Sequence, residues 1–253
     1  MKLRQFEFLE VHQHPDRNAL GIAAAKGVAL AIRAAIGARG EARVVFACAP
    51  SQDEFLAALT AEPVDWTKVV VFHMDEYVSL LDTHPSSFRS YLREHLLAGI
   101  TTPRAVQFIH AEAPFADEAA RYRALLAARP IDLVCLGIGE NGHLAFNDPP
   151  VADFNDPVLV KVVELDAACR QQQIHDGCFA SLDDVPTHAF SLTIPALMNA
   201  REISCVVPGE RKAVAVRNAL LGPVATSCPA SILRKHPRAV LHIDDDSAAL
   251  LKE

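Results

Sequence analysis

The segment Gly137-Ile138-Gly139-Glu140-Asn141-Gly142-His143-Leu144-Ala145-Phe146-Asn147-Asp148-Pro149-Pro150 is the richest in residues able to do chemistry. Its three closely spaced glycines permit tight turns and close backbone approach to a ligand. His143 can exchange a proton near neutral pH. Asn141 and Asp148 flank it, where they could fix its tautomer or stabilise its charged form. Glycines and one histidine alone are read equally well as a turn with an incidental imidazole. The full string is more specific than a bare glycine pattern.

A second stretch, His73-Met74-Asp75-Glu76-Tyr77-Val78, puts two adjacent carboxylates at the end of an apolar run. In an extended chain their side chains point to opposite faces. One could face a ligand while the other makes structural hydrogen bonds. A carboxylate base suits removal of a proton beside a carbonyl, as in the triosephosphate isomerase pattern. Taken alone, the pair also reads as a solvated loop with helix-capping acids. Lys212, in Val207-Pro208-Gly209-Glu210-Arg211-Lys212-Ala213, stands where a strand gives way to a helix. There an ammonium and free backbone N–H groups suit a phosphate, although most lysines simply face solvent. Ser51, after the first apolar strand, is a further donor. His84 and Pro85 form a turn. His110, His188, His236 and His242 are scattered without ligand spacing, so neither a metal nor another cofactor is expected.

These residues need elements to position them. Apolar runs predict strands over Arg43–Ala47, Lys68–Phe72, Ala105–Ile109, Ile131–Ile138, Leu159–Glu164, Ala189–Ile194, Ile203–Val207 and Ala239–Ile243. Several lack polar alternation, as strands covered on both faces do. Helices are expected over His14–Ala38, Ser51–Thr60, Ser86–Leu97, Ala116–Ala128, Arg211–Leu221 and Ser247–Lys252, with Ser51 and Glu54 at capping-box spacing. This alternation predicts a doubly wound, mostly parallel, Rossmann-like α/β sheet flanked by helices. Ligands of such sheets gather outside the carboxyl ends of the strands. The loops after Ala47, Phe72, Ile138 and Val207 are therefore the places for chemistry.

Bulk properties bound the function. The chain has 253 residues, 51% hydrophobic and 22% charged, which fits one α/β domain spanning 1–253. A net charge of −7 argues against a nucleic-acid coat, yet one local cation can still hold a small anion. The six cysteines form no C-x-x-C pair, and Cys48, Cys135 and Cys205 sit in apolar runs as small hydrophobes. Residues 1–6 lack a signal-peptide core. No unbroken apolar window reaches membrane length. A reducing cytoplasm is the expected setting, with homo-oligomerisation left open.

Residues 137–149 resemble a motif of glucosamine-6-phosphate deaminases. Met74-Asp75-Glu76-Tyr77-Val78, followed by His84-Pro85 and Ser86-Ser87-Phe88, is similar to a second family motif. Val185-Pro186-Thr187-His188-Ala189 and Gly209-Glu210-Arg211-Lys212-Ala213 resemble two later ones, in the same order. The resemblance runs over roughly residues 40 to 245.

It implies that the ring of glucosamine 6-phosphate opens, the aldose becomes a ketose, and ammonia leaves to give fructose 6-phosphate. By position, Asp75 would move a proton between carbons 2 and 1, and His143 would serve the ring oxygen with Asn141 and Asp148 as its partners. Lys212 would hold the phosphate, with Ser51 and Glu76 also on the substrate side. Backbone groups of Gly137 and Gly139 would line the sugar site.

Two departures stand out. The family commonly has Glu where this chain has Asp148. Its Thr-Gly-Ser/Gly-Thr phosphate loop is replaced by Cys48-Ala49-Pro50-Ser51, which loses glycines and, at Pro50, an N–H. Arg170 and His175 are the candidates for a missing phosphate arginine. Two other readings compete: a 6-phosphogluconolactonase-type hydrolase and a non-catalytic sugar-phosphate-binding protein.

Overall fold

The apolar runs in the middle of the chain lack polar alternation because both of their faces are covered. The computed structural model describes residues 2–251. Strands β1 (Lys2–Phe6) and β2 (Leu9–His14) open the chain, followed by helix α1 (Arg17–Arg39) and β3 (Ala42–Phe46). Next come α2 (Asp53–Thr60), β4 (Val69–His73), β5 (Asp75–Tyr77), α3 (Phe88–His95), β6 (Ala105–Gln107) and α4 (Phe115–Ala127). Strands β7 (Leu133–Leu136) and β8 (Val160–Glu164), α5 (Ala167–His175), β9 (His188–Leu192) and α6 (Ile194–Met198) follow. The described chain closes with β10 (Glu202–Val207), α7 (Ala213–Leu221) and β11 (Ala239–Asp244).

The main sheet has the order β1-β2-β11-β10-β7-β3-β4-β6, and β5-β9-β8 form a smaller one. Every pairing in the main sheet is parallel except β1 with β2. Two apolar clusters cover its faces. Val45 and Phe72 face one side, while Val44, Phe46 and Val71 face the other with α1 and α2. Alternate residues of one strand thus serve opposite cores. By length and composition α1 could cross a bilayer. Its stripe of Leu20, Ala24, Ala25, Val28, Ala29 and Ile32 is buried in the second cluster instead.

The expected doubly wound sheet is observed, and several local expectations are corrected. The N-terminal hairpin went unseen because Leu9 and Val11 are the only apolar residues in β2. The helix expected from His14 starts at Arg17, after Asp16 caps it by accepting from Ala19 N at 2.8 Å. The Ser51–Glu54 capping box does not form. Pro50–Gln52 makes a short 3-10 turn ahead of α2, and Glu54 pairs with Arg17 at 2.8 Å. Residues 245–250 form turns where a helix was expected, and Lys252 lies outside the described residues. Asp244 Oδ1 accepts from Ser247 N at 2.8 Å, closing a turn in a segment too short to nucleate a helix. Asp75–Tyr77, expected as a loop, is a strand. Helices α5 and α6 were not foreseen.

Neighbouring strands β3 and β7 send the chain in opposite directions, β3 toward β4 and β7 toward β10. A doubly wound sheet opens a crevice outside the carboxyl ends of such a pair.

Candidate active site

A cleft of about 600 Å³ occupies this crevice. All four loops singled out from the sequence reach it. Ala47 to Gln52 come from the end of β3, Met74 and Asp75 from the end of β4, Gly137 to Gly139 with His143, Ala145 and Phe146 from the end of β7, and Lys212 from the end of β10.

Asp75 sits where the chain passes from the main sheet to the small one, paired in register with Ser191. It is 7% exposed and lines the cleft, and its carboxylate accepts no hydrogen bond among the described residues. Burial and the neighbouring Glu76 carboxylate push its pKa well above the ordinary carboxylate range. Glu76 turns the other way, as residue alternation in a strand requires. It is fully buried, and its oxygens accept from Ser87 Oγ (2.9 Å), Phe88 N (3.2 Å), Arg89 N (3.0 Å) and Arg89 Nε (3.2 Å). Glu76 therefore holds the start of α3 and does not line the cleft. The expectation that it faces substrate is corrected: the α3 N-terminus and Arg89 already occupy its oxygens.

The loop after β7 organises itself around His143. His143 Nδ1 lies 2.9 Å from Asp148 Oδ1. Asn141 Nδ2 donates to the same oxygen at 2.9 Å, while Asn141 Oδ1 accepts from the His143 backbone N at 3.0 Å. A carboxylate on Nδ1 fixes the proton there and leaves Nε2 for a ligand. Burial would raise the Asp148 pKa, but the hydrogen bond and charge of His143, with the Asn141 amide and the Cys169 thiol, hold it below the usual value. The shorter aspartate thus reaches the imidazole. Gly139 N donates to His143 O at 3.0 Å, and a Cβ on Gly139 would overlap the imidazole ring. Gly142 has φ +87 and packs under Cys228, where a Cβ would meet Sγ at 2.7 Å. Asn147, fully buried, donates to Leu144 O (2.8 Å) and Leu192 O (2.7 Å), tying the loop to β9.

Lys212 lies in a short 3-10 turn (Glu210–Lys212) just before α7. It is 6% exposed and lines the cleft, and its side-chain ammonium makes no hydrogen bond or ion pair with any described residue. Burial lowers its pKa, against the pull of Asp176 and Glu140. Ser51 borders the same end, and its Oγ accepts from Gln52 Nε2 at 3.0 Å. Gly137 packs against that amide, where a Cβ would stand 3.1 Å from Gln52 Nε2.

Arg170 and His175 do not reach the cleft. The Arg170 guanidinium is spent on Leu182 O and Val185 O, and His175 faces Glu140 at 3.6 Å. Their own helix instead presents Gln172 and Gln173, which the sequence reading missed. Gln173 Oε1 accepts from the Tyr77 hydroxyl at 2.7 Å, and Gln172 Oε1 from Glu140 N at 2.8 Å. Arg17 was also missed. It borders the Ser51–Lys212 end and is held by Glu54 and Pro50 O. The glutamines were missed because α5 was not foreseen, and Arg17 because it lies far from the motifs in sequence.

The sequence profile of the glucosamine-6-phosphate isomerases/6-phosphogluconolactonase family matches residues 15–241. The chain belongs to this family. Within it, the chain is 38% identical to a glucosamine-6-phosphate deaminase of Listeria welshimeri, over 77% of this chain and 81% of that one. It is 36% identical to one from Exiguobacterium sibiricum, over 75% and 73%. The solved structure of a monomeric glucosamine-6-phosphate deaminase superposes with TM-score 0.87 at 27% identity, covering 95% of this chain and 99% of that one. A family member of the other kind, the 6-phosphogluconolactonase of Trypanosoma brucei, superposes with TM-score 0.79 at 19% identity, covering 99% and 100%. That last likeness concerns the fold alone.

Proposed function

We propose that this protein converts glucosamine 6-phosphate to fructose 6-phosphate and ammonia, residues 1–253 acting as one catalytic domain. One observation carries this reading. A buried carboxylate and a buried ammonium, neither with a side-chain partner among the described residues, face a single cleft together with the imidazole that Asp148 holds.

Each group suits one step. Lys212, with Ser51 beside it, holds the phosphate as a point charge. His143, its Nδ1 proton fixed by Asp148, uses Nε2 to exchange a proton with the ring oxygen, opening the sugar. Asp75 takes the proton from carbon 2 of the open aldose and returns it to carbon 1. Its raised pKa makes it a stronger base than an exposed aspartate would be. The nitrogen then sits as an imine on carbon 2, and water hydrolyses it to the ketone and ammonia. Gly137 and Gly139 let the backbone approach the sugar closely.

Ammonia release over a panel of hexose and hexosamine phosphates tests the proposal. Turnover of glucosamine 6-phosphate with one ammonia per ketose formed is the expected result. Acid release from 6-phosphogluconolactone with no ammonia from any amino sugar would assign the lactonase reaction instead. Binding of sugar phosphates without turnover would make the protein a binding module.

A further inference from the structure

A second cluster of imidazoles lies away from the catalytic cleft, at the seam between β2 and β11. His12 and His14 are two residues apart in β2 and so share one face. His242 of β11 is the register partner of His12. Their candidate ligand nitrogens lie within 4.8 Å of one another. His14 Nε2 and His242 Nδ1 are 3.3 Å apart, the two rings stacked, while His12 meets His242 edge-on with centroids at 5.1 Å. None of the three lines the cleft.

We propose that His12, His14 and His242 bind a divalent transition metal ion of the zinc class, joining the N-terminal hairpin to the last strand of the sheet. Spacing, donor set and access all suit such an ion. Two nitrogens each about 2.0–2.1 Å from a tetrahedral zinc stand about 3.3–3.4 Å apart, the spacing found between His14 and His242. Three imidazoles are a donor set that zinc-class ions favour and magnesium or calcium do not. Access and charge also fit. His14 and His242 are buried, but the His12 side chain is 22% exposed and opens the site to solvent, with Glu10 3.3 Å away at the rim.

Coordination requires neutral imidazoles. Burial first, then the neighbouring histidines, depress the His14 and His242 pKa values, that of His242 to about 3. Both shifts run toward the neutral ring that a metal ion needs. The proton shared between Nε2 of His14 and Nδ1 of His242 moves to the far nitrogen of its own ring, a tautomer change. Asp244, the register partner of His14, is not a competing ligand, because its carboxylate is held by Gly209 N and Ser247 N.

The test uses the full chain stripped of metal and titrated calorimetrically with Zn²⁺, with Co²⁺ absorption as a second readout. The other metal-capable grouping, His143, Asp148 and Cys169, includes the cleft residue His143, so the titration is repeated in His143→Gln. The expected result is a Zn²⁺ site that persists in His143→Gln. It weakens at least about tenfold in His12→Ala and is lost in His242→Ala, while Mg²⁺ gives no binding. Zn²⁺ should also raise the melting temperature of the wild type, and by less that of His12→Ala at the same concentration. His12 is the least buried of the three, its side chain 22% exposed, so its variant carries the test even if His242→Ala fails to fold. Zn²⁺ binding unchanged in His12→Ala, binding lost only in His143→Gln, or no binding to the wild type would each overturn the proposal.

Discussion

Gly139 lies so close against the His143 imidazole that a single methyl group on its Cα would overlap the ring. The neighbours of His143 leave the ring no easy retreat, since Asp148 holds Nδ1 and Asn141 holds the backbone N. Gly139→Ala should therefore move the imidazole by about an ångström and lower kcat by about 100-fold. Affinity for inorganic phosphate at the Lys212 end should be nearly unchanged. Steady-state kinetics with phosphate as competitive inhibitor would read both numbers. Equal losses in the two would mean that the loop as a whole had collapsed.

If Asp148 acts only through His143, removing both should cost no more than removing one. His143→Gln and Asp148→Asn should each lower kcat by about 10²- to 10⁴-fold, and the double variant should match the worse single one. An open-chain substrate analogue should suffer less from either change, because the pair serves ring opening. Additive losses would give Asp148 a separate task, and equal damage with the open-chain analogue would give His143 a role beyond the ring.

Asp75→Asn should abolish exchange of the carbon 2 proton with solvent while leaving ligand binding largely intact, which isotope exchange followed by NMR would check. The same variant should be more stable than the wild type. The native pKa of Asp75 lies above its unfolded value, so its contribution to stability is full below the unfolded pKa and falls as pH rises through the native one. The variant removes that loss. Its melting temperature should exceed that of the wild type at about pH 8 and converge with it near pH 4. The wild-type rate should rise with pH along a limb above the ordinary carboxylate range.

Lys212→Met should raise KM for a sugar phosphate by about 10- to 100-fold, the worth of a charge-assisted hydrogen bond. Burial depresses the native Lys212 pKa. Its contribution is therefore full above the unfolded lysine value and is lost as pH falls through the native one. Replacing the ammonium with an apolar chain relieves that cost, so the variant should melt higher in the absence of ligand. Phosphate should then stabilise the wild type and not the variant.

The sheet was legible where burial is two-sided. Val44, Val45, Val70 and Val71 face opposite cores in turn, and that leaves continuous apolar runs in the sequence. One-sided and short elements left no such trace. β2 carries Glu10, His12 and His14 along one face, and β5 is three residues long. α5 has a polar surface around Cys169, Gln172 and Gln173, its buried residues, so no apolar stripe marked it.

The sequence by itself determined the family, the doubly wound class and the chemical content of the four loops, because these follow from local residue types and the order of apolar runs. Only the tertiary structure decided which members of those loops meet. It separated Asp75 from Glu76, sending one to the cleft and the other to the start of α3. It replaced Arg170 and His175 by Gln172 and Gln173, a choice made by which face of α5 turns inward. It also brought His12 and His14 from one end of the chain to His242 at the other. Strand pairing across 228 residues of sequence, as between His14 and His242, is set by the register of the folded sheet, and no local pattern encodes it.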